Sequence, residues 1–138
     1  MSSLLTPYLS FRDNARQALE FYQQVFGGDL VLSTFGEFGM ADSGAADLIM
    51  HGQLETPSGF TLMASDTPPG MEFTSGTGIT VCLSGDDVEQ LRGYFGRLTE
   101  DGEVSTPLEK QMWGDEYGAC TDKFGTPWMA NISTSSPA

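Results

Sequence analysis

The chain is predicted to fold as an α+β protein in which two βαβββ modules form a curled eight-stranded mixed sheet around a cavity, with the helices on the outside. Short strand-like runs alternate with amphipathic helical stretches, and the same order begins again in the second half. A twisted sheet of about eight strands tends to curl, which leaves helices on its convex side and a concave side free for a small ligand.

The run TPYLSF, ending at Phe11, reads as the first strand. Asp13 or Asn14 then caps a helix whose apolar positions are Ala15, Ala18, Leu19, Tyr22, Val25 and Phe26, and Gly27 and Gly28 end it. Three more strands follow in DLVLSTF, ADLIMHGQL and GFTLMASD, the last two joined by a turn at Pro57 to Gly59. ITVCLS restarts the order, and Asp86 or Asp87 caps a second helix carrying Val88, Leu91, Phe95 and Leu98 on one face, closed near Gly102. The strand YGACTD and the turn DKFG come next, with Asp122 and Gly125 as turn formers. Superposing the halves pairs Asp13 with Asp86, Ala18 with Leu91, Tyr22 with Phe95, Val25 with Leu98 and Val31 with Val104. One domain over residues 1–138 is expected, with module one at about 4–66, a linker at 67–76 and module two at about 77–134.

With 39% hydrophobic and 11% aromatic residues, the 138-residue chain has the material for a core. Its 19 acidic against 6 basic residues give a net charge of -13, which repels phosphate backbones and anionic headgroups. Nucleic acid and membranes are therefore not expected partners. The first twenty residues lack a basic start followed by a long apolar run, so a soluble, cytoplasmic protein is expected. Two cysteines, Cys82 and Cys120, are too few for a disulfide framework or a Cys-rich metal site and read as small buried hydrophobes.

Groups able to do chemistry are few. The single histidine, His51, lies in a strand where Leu48, Met50 and Leu54 point one way and Ile49, His51 and Gln53 the other. It is either the polar side of a half-buried strand or a group that hydrogen-bonds a ligand or takes a proton from it. In MWGDEYG, Trp113 and Tyr117 could form flat walls and Asp115 and Glu116 could accept from a ligand; the plainer alternative is a loop with solvated carboxylates. Two Gly-rich segments carry Phe38, Met40, Met71 and Phe73 and could cover a pocket, link surfaces or form a dimer contact. No Gly-rich phosphate cradle with a following Lys is present, and a lone histidine supports no Ser-His-Asp order.

The stretches YLSFRDNARQALEFYQQVFGG, IMHGQL with FTLMASD, and WGDEYGACTDKFGTPWMANI resemble the vicinal oxygen chelate superfamily of glyoxalases, extradiol dioxygenases and bleomycin resistance proteins, and most of all its PhnB-like branch. The resemblance implies a divalent metal held by His or Glu on the first and fourth strands of each module. Carried onto this chain, those positions fall on Pro7 or Tyr8, Thr80 or Val81, Leu62 and Met129, none of which is a carboxylate or imidazole. The corresponding lining is Leu9, Phe11, Leu62, Thr80, Cys82 and Met129, to which His51 and Trp113 add candidate ligand contacts. It suits an apolar or aromatic molecule, or is filled by its own side chains. The expectation is thus a metal-free small-molecule-binding protein without cofactor, a homodimer. The alternative is a metal-dependent lyase or dioxygenase-like enzyme built from His51 with Asp66, Asp115 or Glu116.

Overall fold

A computed structural model of the chain describes residues 5–38, 46–68 and 78–133. Within them the order is β1 (Tyr8–Phe11), α1 (Ala15–Phe26), β2 (Asp29–Thr34), a 3-10 turn (Gly36–Phe38), β3 (Ile49–Glu55) and β4 (Thr61–Asp66). Then follow β5 (Val81–Gly85), α2 (Val88–Leu98), β6 (Glu103–Lys110), β7 (Glu116–Thr121) and β8 (Pro127–Ile132). The predicted α+β architecture with two βαβββ modules is what forms. Two compact units result, Met1–Ser75 and Gly76–Ala138.

Each unit holds one four-stranded sheet, in the orders β1-β4-β3-β2 and β5-β8-β7-β6. The first strand of each module runs parallel to the fourth, and the remaining pairs are antiparallel, so both sheets are mixed. The helix between the first and second strands packs on one face of its sheet, α1 against β2, β3 and β4, and α2 against β5 and β8.

In α1, Ala15, Ala18, Leu19, Tyr22, Val25 and Phe26 are all buried. Their spacing of three and four residues gathers them on one stripe, and each large side chain so buried contributes about 1.5–3 kcal/mol of transfer free energy. Sheet one receives the stripe at Gly52, where a Cβ would run into the Leu19 side chain. Beyond the helix, Gly27 adopts φ 76° and donates its N–H to the Gln23 carbonyl at 2.7 Å. A positive-φ residue without a Cβ ends the helix here at no steric cost.

The two helices begin differently. Asp87 caps α2, accepting from the Gln90 N–H at 3.1 Å. Asn14 stands at the equivalent place in α1, but its side chain makes no capping bond. Instead the carboxylate of Asp66, at the far end of β4, accepts from the Ala15 N–H and from the Ile49 N–H, both at 2.8 Å. One buried carboxylate therefore caps α1 and pins the start of β3. Asp122 serves unit two in a related way: one oxygen accepts from the Phe124 and Thr126 N–H groups at 2.9 and 3.1 Å, and the other from the Trp128 indole N–H at 2.8 Å. With Gly125 at φ 91°, this closes the β7–β8 turn over a buried tryptophan.

Asp66→Ala is expected to leave two buried N–H groups unsatisfied and to lower stability by about 2–4 kcal/mol. Asn14→Ala should change it by no more than about 0.5 kcal/mol. Denaturant unfolding of the two variants beside the parent checks both values.

Candidate functional site

Side-chain alternation divides each sheet into a helix face and an open face. In sheet one Gly52 lies against α1; it pairs with Ala64, and Ala64 with Leu9. Two-residue periodicity places Leu62, Leu54 and Phe11 on that same helix face, where all three are buried. The open face carries Tyr8, Ser10, His51, Gln53, Met63 and Ser65. In sheet two the Gly85 Cβ position borders Leu91 of α2, so Leu83, Ala130 and Ile132 belong to the helix face with it. Cys82, Ser84, Met129, Asn131, Tyr117 and Ala119 occupy the open face.

This corrects the expected lining. Leu9, Phe11 and Leu62 were grouped with Thr80, Cys82 and Met129 on one equivalent face; the first three lie toward α1, while Cys82 and Met129 lie away from α2 and Thr80 is exposed just before β5. For the first strands the cause is a single residue. Arg12 to Asn14 make a three-residue connection from β1 to α1, whereas Asp86 and Asp87 make a two-residue connection from β5 to α2. The offset that aligns the helices therefore misaligns the first strands by one position, which exchanges faces. By register Tyr8 corresponds to Cys82, and Met63 rather than Leu62 corresponds to Met129. A second correction concerns β3. Ile49 is fully buried, not grouped with His51, because the register passes from Ser33↔His51 to Thr34↔Ile49 and skips Met50. The bulge resets the pleat at that point.

His51 is not solitary. Its Nδ1 lies 3.3 Å from the Tyr8 hydroxyl, and the rings sit 5.8 Å apart at 38°. The two side chains meet on the open face of sheet one, His51 half-buried and Tyr8 exposed. Strand pairing brings them together from 43 positions apart in the chain, and nothing in the local sequence around either signals the contact.

In unit two the acidic residues of the WGDEYG stretch separate. Asp115 accepts from the Asn131 side-chain amide at 3.1 Å. Glu116 is buried rather than solvated and binds Arg92 of α2 through both carboxylate oxygens, the Nε contact being 2.9 Å. The hydrogen bonds from Arg92 hold its carboxyl below the usual carboxylate range although burial opposes them; the charges of Arg92 and Lys110 act in the same direction. Trp113 and Met112 stand exposed at the tip of the β6–β7 connection, 60% and 97% accessible, which the turn from Gln111 to Asp115 holds away from the sheet. Tyr117, by contrast, lies half-buried on the open face beside Asn131. Of the two cysteines only Cys120 is the expected buried hydrophobe; Cys82 is exposed. Burial, and then the charge of Asp122, push the Cys120 thiol up to about 11, and burial also raises Cys82. Met40, Met71 and Phe73 and the Phe38 side chain lie outside the described residues.

The open-face groups on the first and fourth strands are a phenol, hydroxyls, thioethers, an amide and a thiol disfavoured as thiolate (Tyr8, Ser10, Met63, Ser65, Cys82, Ser84, Met129 and Asn131). A divalent metal of the hard or borderline kind draws its binding energy from carboxylate and imidazole donors, and these positions do not fit one. The carboxylates proposed to join His51 each have another partner: Asp66 holds two backbone N–H groups, Asp115 holds Asn131, and Glu116 holds Arg92. Among the described residues no group of three His, Cys, Asp or Glu side chains converges to hold a metal ion.

The fold and the family comparison define the class. The chain belongs to the Glyoxalase/Bleomycin resistance protein/Dioxygenase superfamily, whose family model matches residues 5–130. Within it, the chain is similar to protein YjdN of Escherichia coli K12, 30% identical over 96% of this chain and 97% of that protein. It is also similar to the crystal structure of protein PA1353 from Pseudomonas aeruginosa, 34% identical with a TM-score of 0.85, covering 96% and 98% of the two chains. A structure from Bacillus cereus described as a putative 3-demethylubiquinone-9 3-methyltransferase, PhnB protein, shares the fold at 24% identity and a TM-score of 0.76, over 95% of this chain and all of that one.

Two outcomes follow from the charged and thiol groups. A thiol reagent at pH 8 should label Cys82 in the native protein, and Cys120 only after unfolding. For Glu116, the folded pKa lies below the unfolded one, so the unfolded chain binds the extra proton and stability is lost as pH falls through the folded value. The melting-temperature deficit of Arg92→Met relative to the parent should therefore hold steady from about pH 6 to 8 and shrink below about pH 4.

Proposed function

We propose that this protein binds a flat apolar or aromatic small molecule on the open faces of its sheets, without a metal ion. The observation that carries the proposal is that Tyr8, Met63, Cys82 and Met129, and no carboxylate or imidazole, hold the paired register positions on the open faces of the first and fourth strands. Thioethers are polarisable and adaptable, and they pack favourably against aromatic rings. Tyr8, His51 and Tyr117 add flat surfaces with a polar edge to the same faces.

The proposed setting is a cytoplasmic homodimer that binds neither nucleic acid nor membrane. Free Cys82 and Cys120 suit a reducing compartment, and the charge of -13 disfavours polyanions. Among the described residues no helix is long and apolar enough to cross a membrane. The edge strand β2 exposes Val31, an apolar side chain that self-association would cover. The methyltransferase description of the B. cereus protein is not carried over, because likeness at 24% identity conveys the fold alone.

A thermal-shift screen of neutral aromatic compounds with and without EDTA tests the proposal. A binder at 100-fold excess over its Kd should raise Tm by roughly 5–10 °C, equally in both conditions. A shift abolished by EDTA, or near-stoichiometric metal that disappears in His51→Ala, would establish the metal-dependent alternative instead.

A further inference from the structure

We propose that Tyr8 fixes the tautomer of His51, so that the open face of sheet one presents one oriented N–H donor that recognises a neutral carbonyl oxygen on the aromatic ligand. This deepens, and rests on, the binding function proposed above. A phenol is a better donor than acceptor, and the unprotonated nitrogen of a neutral imidazole is a strong acceptor. The Tyr8 hydroxyl and Nδ1 lie 3.3 Å apart; with the phenol as donor, the imidazole proton sits on Nε2. Among the described residues Nε2 makes no hydrogen bond, so its N–H is the donor left to a ligand.

The surroundings select the kind of acceptor. Asp29 and Glu55 are paired at one end of the same open face, and Glu55 also accepts from the Gln53 side chain at 3.4 Å. Two carboxylates on the same face, four residues along β3 from His51, within a chain of net charge -13, oppose an anionic ligand. A carbonyl presents acceptor lone pairs without a charge. Met63, between Tyr8 and Gln53 in the sheet register, supplies the apolar surface for the attached ring. Tyr8 is thus a positioning residue that acts through His51, and His51 is the group that touches the ligand.

Because His51 is the single histidine, long-range ¹⁵N NMR of the imidazole reads its tautomer without ambiguity. The parent should show a protonated Nε2 and an acceptor-type Nδ1, and Tyr8→Phe should move both signals toward tautomeric averaging while circular dichroism stays unchanged. Acetophenone should shift Nε2 saturably in the parent, and α-methylstyrene, the planar hydrocarbon analogue without the carbonyl oxygen, should not. Tyr8→Phe should weaken acetophenone by about three- to tenfold, the loss expected for one oriented hydrogen bond. An Nδ1-protonated parent, or identical ¹⁵N spectra for parent and Tyr8→Phe, overturns the proposal. A thermal shift with acetophenone that leaves Nε2 unmoved overturns it while sparing the binding function; aromatic compounds that never bind at all defeat the binding function and the carbonyl site with it.

Discussion

The approach of Leu19 to the bare backbone at Gly52 decides which side chains of the first module remain available for chemistry. A helix can lie this close only where the strand lacks a Cβ, and once it does, every second residue of β1, β3 and β4 is committed to the core. Leu9, Phe11, Leu54, Leu62 and Ala64 go to that side. What is left facing away is a phenol, an imidazole, an amide, hydroxyls, a thioether and, at the end of β3, the carboxylate of Glu55. The second module repeats the division around Leu91 and Gly85, and exposes a thiol, a thioether, an amide and a phenol in corresponding places.

The acidity of the chain is easily mistaken for catalytic potential. Asp66 and Asp122 are both buried, and between them they accept from four backbone N–H groups and one indole N–H. Glu116 is spent on Arg92, tying β7 to α2. Charged acceptors of this kind are the stronger class of hydrogen bond, and removing one would strand its buried donors. These three carboxylates are thus structural joints, and the open faces are left without a carboxylate at β1, β4, β5 and β8. That division favours capture of an uncharged molecule over metal chemistry.

Element order was legible in the sequence because it depends on local patterns. The stripe from Ala15 to Phe26, the cap at Asp87 and the Asp122–Gly125 turn all declare themselves within a few residues. Strand phase was not, since it turned on one extra residue between β1 and α1 and on the bulge that skips Met50. An apolar strand residue such as Leu9 or Leu62 reads equally well on either face until its neighbours are known. Long-range partnerships were hidden for the same reason: Asp66 reaches Ala15 across 51 positions, and Tyr8 reaches His51 across 43. Trp113 shows the converse, a large aromatic that looked like a wall and stands at a turn because Gly114, at φ 102°, lets the chain reverse there.

The central claim is that ligand binds on the helix-free faces. Methyl NMR of ¹³C-methionine-labelled protein addresses it directly, because Met63 and Met129 hold matching open-face positions in the two sheets. With signals assigned by Met→Leu substitution, a bound aromatic compound should shift the methyl resonance of Met63, of Met129, or of both through ring currents, and these shifts should saturate together with the thermal stabilisation. Stabilisation by such a compound with both resonances unmoved would contradict the account and place binding elsewhere on the molecule.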